Sequence, residues 1–334
     1  MPEITQGVHS EKMNSTDGNP PAPRQPTAGR EFFFHIVLTL SFFLSITFVP
    51  LAGFFTGILT PLPTALALIK FGLPAASVVP AVSGLFGSLV LFLMDMSQSI
   101  PYFAAMLAMG MILGYGIGRS WPSEKVVGLA SLLVISISGI ILVITLLETG
   151  GELVRLLEED FSKAITTTLS QLGKPSSEAR ELESSLLAAV PLIVRIMPGI
   201  TISCTLGICW LNMLIARRYC RTAAPHVGPM EDLTRWKAPE TLVWLVIASG
   251  LVLIAPLPDL KYPALNALVV LGSIYFLQGL AIASFFLAQW KLPFFMRALI
   301  YAVLALQQFA SMATAMVGLF DMWFDFRRMV KKPA

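Results

Sequence analysis

The chain has 334 residues, 55% of them hydrophobic and only 13% charged, with a formal net charge of +3. Soluble domains carry about 25% charged residues, so an ordinary soluble globule is excluded. The small positive balance falls as short clusters between apolar runs, which excludes the broad basic surface that nucleic acid requires. The three cysteines, Cys204, Cys209 and Cys220, lie in or beside one apolar segment. Their odd number and spacing argue against a disulfide framework or a zinc site and leave them as packing residues.

Residues 1–31 include NSTDGNPPAPRQPTAG and almost no large apolar side chain. Such a segment cannot bury enough surface to fold and reads as a disordered tail. It does not read as a cleavable signal: the first apolar run starts only at Phe32, behind acidic and basic residues, and no A-x-A site ends it. Crossing a bilayer takes about 20 apolar residues. Spans are expected near 32–55, reaching a bend near Pro50 and the Gly53/Gly57 pair, and near 74–94, 101–118 and 126–147, with PLPTALALIKFG (61–72) too short for a comfortable crossing. Residues 32–147 form a first transmembrane half.

Residues 148–185 change character. Leu153, Leu156, Leu157, Phe161, Ile165, Leu169 and Leu172 recur at helical spacing, with Glu158, Glu159, Asp160 and Lys163 elsewhere on the wheel. This is an amphipathic helix packed on protein or lying at the membrane surface, and its acidic face disfavours anionic lipid. A second half, 186–326, holds a long run at 186–218 and spans near 240–256, 262–288 and 296–318, followed by a basic tail, 327–334. The reading is an all-α, polytopic transmembrane helical bundle of about eight or nine spans, with one amphipathic non-spanning helix near the middle.

Loop charge gives the orientation. With the N-terminus inside and nine crossings, Lys70, Arg119, Lys125, Arg217, Arg218, Arg221, Arg235, Lys237, Lys291 and Arg297 are cytoplasmic. The short external loops then hold only Lys261, and the 148–185 excursion holds Arg155, Lys163, Lys174 and Arg180. RRMVKK, from Arg327 to Lys332, resists this scheme because nine crossings put it outside. Trp121, Trp236, Trp290 and Trp323 fit interfacial belts.

PLIVRIMPG (191–199) sets Arg195 between two prolines in an apolar run. From Arg217 back to Arg195 is about 33 Å of helix, against a hydrocarbon core about 30 Å thick. Arg195 is therefore either an anchor at the far interface or, beside the break at Pro198, a group that caps an outward cavity and binds an anion bidentately. Gln278, Gln307 and Gln308 are polar groups in mid-span, serving as interhelical glue or as contacts to a small ligand. Asn212 and Asn266 fall nearer helix ends. Gly110, Gly114 and Gly118 sit four apart and form a helix-packing groove for a neighbouring span or a second protein. Asp321, Asp325 and Arg328 share one helix face and read as a solvated, ion-paired terminal turn or a docking site.

No P-loop, H-E-x-x-H or G-x-S-x-G motif occurs, and His9, His35 and His226 are far apart. The chain therefore reads as non-enzymatic, without cofactor or metal, and without an ATPase of its own.

PLPTALALIKFG (61–72), PLIVRIMPGI (191–200) leading into WLNMLIARR (210–218), FLQGLAIASFFL (276–287) and the closing GLFDMWFDFRR (318–328) carry a resemblance. Their order is similar to that of the YybS-like predicted bacterial membrane proteins, a domain-of-unknown-function family (2232). That family in turn looks distantly like the substrate-binding S components of energy-coupling-factor transporters. The P-x-P, the short second helix ending in Gly72, and the small residues Ser83, Gly84, Gly87 and Ser88 carry this second likeness. The A-x-x-x-A docking pattern of those components is missing from the first helix, where Ser41 and Ser45 are the nearest small pair. The resemblance implies a multi-pass protein of the bacterial inner membrane, embedded in the lipid bilayer and binding no nucleic acid. It would capture a small molecule and rely on a separate ATPase module or other membrane protein. The alternative is a scaffold or regulatory protein acting through the glycine face, the amphipathic helix or the C-terminal helix.

Overall fold

The structure is a computed structural model that describes residues 28–171, 177–223, 227–228, 230–290 and 292–328. Most of the N-terminal tail, the LGKPS break, His9, His226 and the last part of the basic tail lie outside the described residues. Among the described residues the fold is all α-helical. Seven helical segments are long and apolar enough to cross a membrane. An eighth crossing would come from a bent pair, and a count of nine would also need a shorter apolar helix, Leu242–Ile254.

Helix α1 (Ala28–Phe48) starts four residues before the first apolar run and ends earlier than the 32–55 reading. At Val49 the chain reverses, and α2 (Pro50–Gly57), opened by a proline at its first position, folds back along α1. Ser45 and Thr56 share a hydroxyl hydrogen bond at 2.6 Å. At Gly53 any side chain would run into the backbone of Ser45 and Ile46. The segment PLPTALALIKF becomes α3 (Pro61–Phe71), and with α2 it completes one span, Ala52–Phe71. The apparently short second segment is thus the second half of a crossing whose first half was assigned to α1. Asn212 holds the break between the two halves by donating to the Ile58 carbonyl at 2.9 Å. Phe71 stacks on Phe32 with ring centroids 4.7 Å apart, and Lys70 pairs with Glu31.

Gly72, at φ +78°, lets the chain turn from α3 into α4 (Leu73–Ala76) and α5 (Val78–Leu93). Next come α6 (Ile100–Gly118) and α7 (Ser123–Glu148). α6 runs parallel to α3, with Gly110 against Pro61 and Thr64, and Gly114 against Ala65 and Leu68. The main apolar core, including Met109, Leu113, Val126, Trp210 and Met213, forms around α6, α7 and the last third of the long helix at Ser177–Ala223.

α8 (Leu153–Gln171) is the amphipathic helix. Leu153, Leu157, Phe161, Ile165 and Leu169 form its half-buried stripe, and it packs on α9 (Ser177–Ala223). α9 is about 70 Å long at roughly 1.5 Å per residue, more than twice the hydrocarbon thickness. Its first part therefore projects beyond the bilayer, where α8 lies against it.

α10 (Leu242–Ile254) carries the chain back, and α11 (Pro258–Gln289) then runs parallel to α9. Arg195 meets Tyr262, Gly199 meets Asn266, and Ser203 meets Val269, in rising order on both helices. The last run is not one straight span. α12 (Phe294–Leu306) and α13 (Gln308–Phe324) meet at Gln307 with a 94° bend. Beyond α13, Arg327 donates to the Trp236 carbonyl at 2.9 Å, and Asp325 pairs with Lys237 at 3.2 Å. The segment after α13 thus returns to the loop between α9 and α10. Lys70, Arg119, Lys125, Arg217, Arg235, Lys237 and Arg327 therefore gather at one end of the bundle, and Arg327 and Arg328, the described start of the basic tail, no longer conflict with the charge pattern.

Candidate functional site

Two polar constellations stand at opposite ends of the α9–α11 pair. At the first, Pro198 lacks the N–H that a helix interior needs, and the next N–H, on Gly199, donates to Asn266 Oδ1 at 2.6 Å. Asn266 Nδ2 donates in turn to the carbonyls of Arg195, at 2.9 Å, and Tyr262, at 2.8 Å. One carboxamide thus serves the backbone of both helices at Pro198; α9 itself runs on as one helix, so the break expected there is a gap in its hydrogen-bond ladder and not an interruption of the helix. Gly199 allows this approach, since an added Cβ would stand 2.8 Å from Asn266 Oδ1.

Arg195 rises from the same turn. Its Nη1 donates to the Tyr262 hydroxyl at 2.6 Å, and its guanidinium lies over the Tyr262 ring at 4.7 Å. Glu158, from α8, places a carboxylate oxygen 4.0 Å from Arg195 Nε, and that oxygen is buried without a hydrogen-bond partner. The arginine is half-exposed, stacked and only loosely neutralised. Such an arrangement holds a planar cation ready for a carboxylate or phosphate.

At the second constellation, Asp321 is completely buried. Gln278 donates to its Oδ2 at 3.3 Å, the Phe326 N–H donates to its Oδ1 at 2.9 Å, and Arg327 approaches to 3.8 Å. The Gln278 carbonyl accepts from the Ala238 N–H at 3.0 Å. This group ties α11, α13 and the α9–α10 loop together. The solvated, ion-paired turn expected from Asp321, Asp325 and Arg328 forms only in part: Asp325 pairs with the exposed Arg328 at 2.7 Å, but Asp321 does not join them. Asp325 adopts a left-handed conformation, φ 43°, that ends α13, and Asp321 turns into the protein. Burial pulls the Arg327 guanidinium below its ordinary value, opposed by Asp321, Asp325 and Asp232.

A third cluster closes the same basic end. Arg217, buried at the foot of α9, donates to the Ser123 hydroxyl and, at 2.8 Å, to the Glu231 carbonyl. The Glu231 carboxylate accepts from the Ser123 hydroxyl at 2.9 Å and from the Ser123 N–H at 3.2 Å. That N–H opens α7, so the carboxylate also meets a helix N-terminus. The cavity beside it, about 40 Å³, holds little beyond water.

The structure does not bring Arg195, Gln278, Gln307 and Gln308 together. Gln278 lies roughly 24 Å along α11 from Tyr262, the partner of Arg195. The Gln307 side chain caps α13 by accepting from the Ala310 N–H, and Gln308 is exposed. Gly110 and Gly114 face α3, whereas Gly118 faces open space. Tyr262 did not stand out from the sequence, and Asn266, Glu158, Asp321 and Arg327 stood out in other roles than these. The signals were there: Tyr262 and Asn266 are spaced i, i+4, as are Arg195 and Gly199, and Asp321 is the one carboxylate in α13.

The family described as "Predicted membrane protein (DUF2232)" matches residues 37–322. The chain is 23% identical over 295 residues to the "Uncharacterized protein YybS" of Bacillus subtilis (strain 168), covering 86% of this chain and 93% of that protein. No solved structure matches. A match over most of the chain, on an all-helical fold with seven or eight candidate crossings, makes this chain a member of the DUF2232 family of predicted membrane proteins.

Proposed function

We propose that the protein is a non-enzymatic component of a bacterial inner-membrane uptake system that captures a small anionic solute at the α9 break. The observation that carries this reading is Arg195, stacked on Tyr262 beside Pro198, with only the distant Glu158 carboxylate to neutralise it. Pro198 leaves a backbone carbonyl of α9 without its helical donor, which makes this stretch of the span polar enough to border a ligand site. Glu158 stands where the anion of a ligand would stand, and a solute carboxylate or phosphate displaces it. The basic end is cytoplasmic by the positive-inside rule, so the Arg195 site faces outward. Energy for uptake comes from a separate ATPase module.

The scaffold alternative is weaker, because α3 already occupies the groove at Gly110 and Gly114. A thermal-shift screen of small carboxylates and phosphates on the detergent-purified protein tests the reading. A ligand at a hundred times its Kd stabilises by about 2.7 kcal/mol. A hit lost in Arg195→Ala and kept in Gln307→Ala supports capture at the break. A screen in which no hit depends on Arg195 contradicts it.

A further inference from the structure

The basic end carries a cleft of about 300 Å³ lined by Arg235, Lys237, Phe285, Asp325, Arg327 and Arg328. We propose that this cleft is a binding site for a phosphate group, anchored by Arg327. The site is independent of Arg195, which lies at the other end of α11.

Arg327 is the feature that sets the cleft apart from a chance cluster of surface cations. Its side chain is only 7% exposed. One guanidinium nitrogen, Nη2, donates to the Trp236 carbonyl. The other two, Nε and Nη1, are closed to water and have no hydrogen-bond partner among the described residues. Charged donors left in that state are costly. A phosphate supplies several acceptor oxygens at once, and arginine is well suited to that geometry.

The surrounding groups are consistent with an anion. Lys237 and Arg328 share the single carboxylate of Asp325, at 3.2 Å and 2.7 Å, and Arg235 leans on Asp232 at 3.9 Å. With Asp321 behind Arg327, three carboxylates face four cations, so one positive charge is unmatched. Arg235, Lys237 and Arg328 are exposed enough that their present pairs are weak and exchange easily. Phe285 adds an apolar wall beside the charges. The phosphate could belong to an anionic lipid headgroup or to a soluble phosphate compound, since both offer the same oxygens.

The test titrates the purified full-length protein with inorganic phosphate by calorimetry, and with phosphatidylglycerol by native mass spectrometry against a phosphatidylcholine control. Saturable binding of either anion is expected, weakened about tenfold or more in the Arg235→Gln/Lys237→Gln double variant and in Arg327→Gln. Binding of phosphatidylglycerol alone identifies a headgroup site, and binding of inorganic phosphate identifies a soluble source. Because Arg327→Gln also disturbs Asp321, the double variant on the exposed side decides the matter if Arg327→Gln fails to fold. No saturable binding of either anion would overturn the proposal. So would equal binding of phosphatidylcholine, or binding unchanged in the folded double variant.

Discussion

Asn266 accepts the Gly199 N–H at 2.6 Å and passes a hydrogen bond from its own amide to the Arg195 carbonyl. It thereby ties α11 to two backbone groups of α9 that flank Pro198. Asn266→Leu removes both bonds and leaves part-buried backbone groups short of partners. A loss of about 1–3 kcal/mol is expected, read as a lower melting temperature in detergent. Gly199→Ala should destabilise as well, because its Cβ meets Asn266 backbone and side-chain atoms within 2.8–2.9 Å.

The glycine ladder on α6 predicts an asymmetric result. Gly110→Leu and Gly114→Leu drive side chains into the α3 backbone and should lower stability by about 1–3 kcal/mol or prevent folding. Gly118→Leu meets open space and should be close to neutral. Thermal unfolding of the three variants separates them.

Asp321 and Arg327 form a pair with little exposure to solvent, 3.8 Å apart. Breaking such a pair from one side costs about 3–5 kcal/mol, because the other charge stays buried. Asp321→Asn and Arg327→Gln should each be severely destabilised. The double variant should lose less than the sum, which a double-mutant cycle on melting temperature or denaturant midpoint measures.

Topology gives a further expectation. Asp325 and Arg327 bind Lys237 and Trp236, so Arg328→Cys and Arg235→Cys should be labelled by an impermeant thiol reagent from the same side of the membrane. Lys261→Cys, at the opposite end of α11, should be labelled from the other side. The background requires replacement of Cys204, Cys209 and Cys220.

Much of the architecture was legible in the chain because a bilayer imposes a length and an apolar composition on each crossing. The amphipathic stripe of α8 and the length of α9 are both direct readings of spacing. What escaped were features decided by which helix lies beside which. Pro50 marks a bend in LTLSFFLSITFVPLAGFF, but its apolarity runs unbroken through the turn, so the full reversal at Val49 is not visible locally. The bend at Gln307 falls at the Gln307–Gln308 pair, whose amides read as polar groups within one span and not as a helix end. The site was half visible. Arg195 stood out as a charge beside a proline, but Tyr262 and Asn266 became its neighbours only through the parallel alignment of α9 and α11. Asp321 read as surface because its spacing to Asp325 and Arg328 suits an exposed helix, and the left-handed turn at Asp325 breaks that helix first.

The central claim is that Arg195 at the α9 break holds a small anion. Native mass spectrometry of the protein gently extracted from its own membrane tests it most directly. The account predicts a stoichiometric, non-lipid adduct that is lost in Arg195→Ala and retained in the Arg235→Gln/Lys237→Gln variant. A bare protein, lipid adducts alone, or small-molecule adducts none of which depends on Arg195 would contradict it.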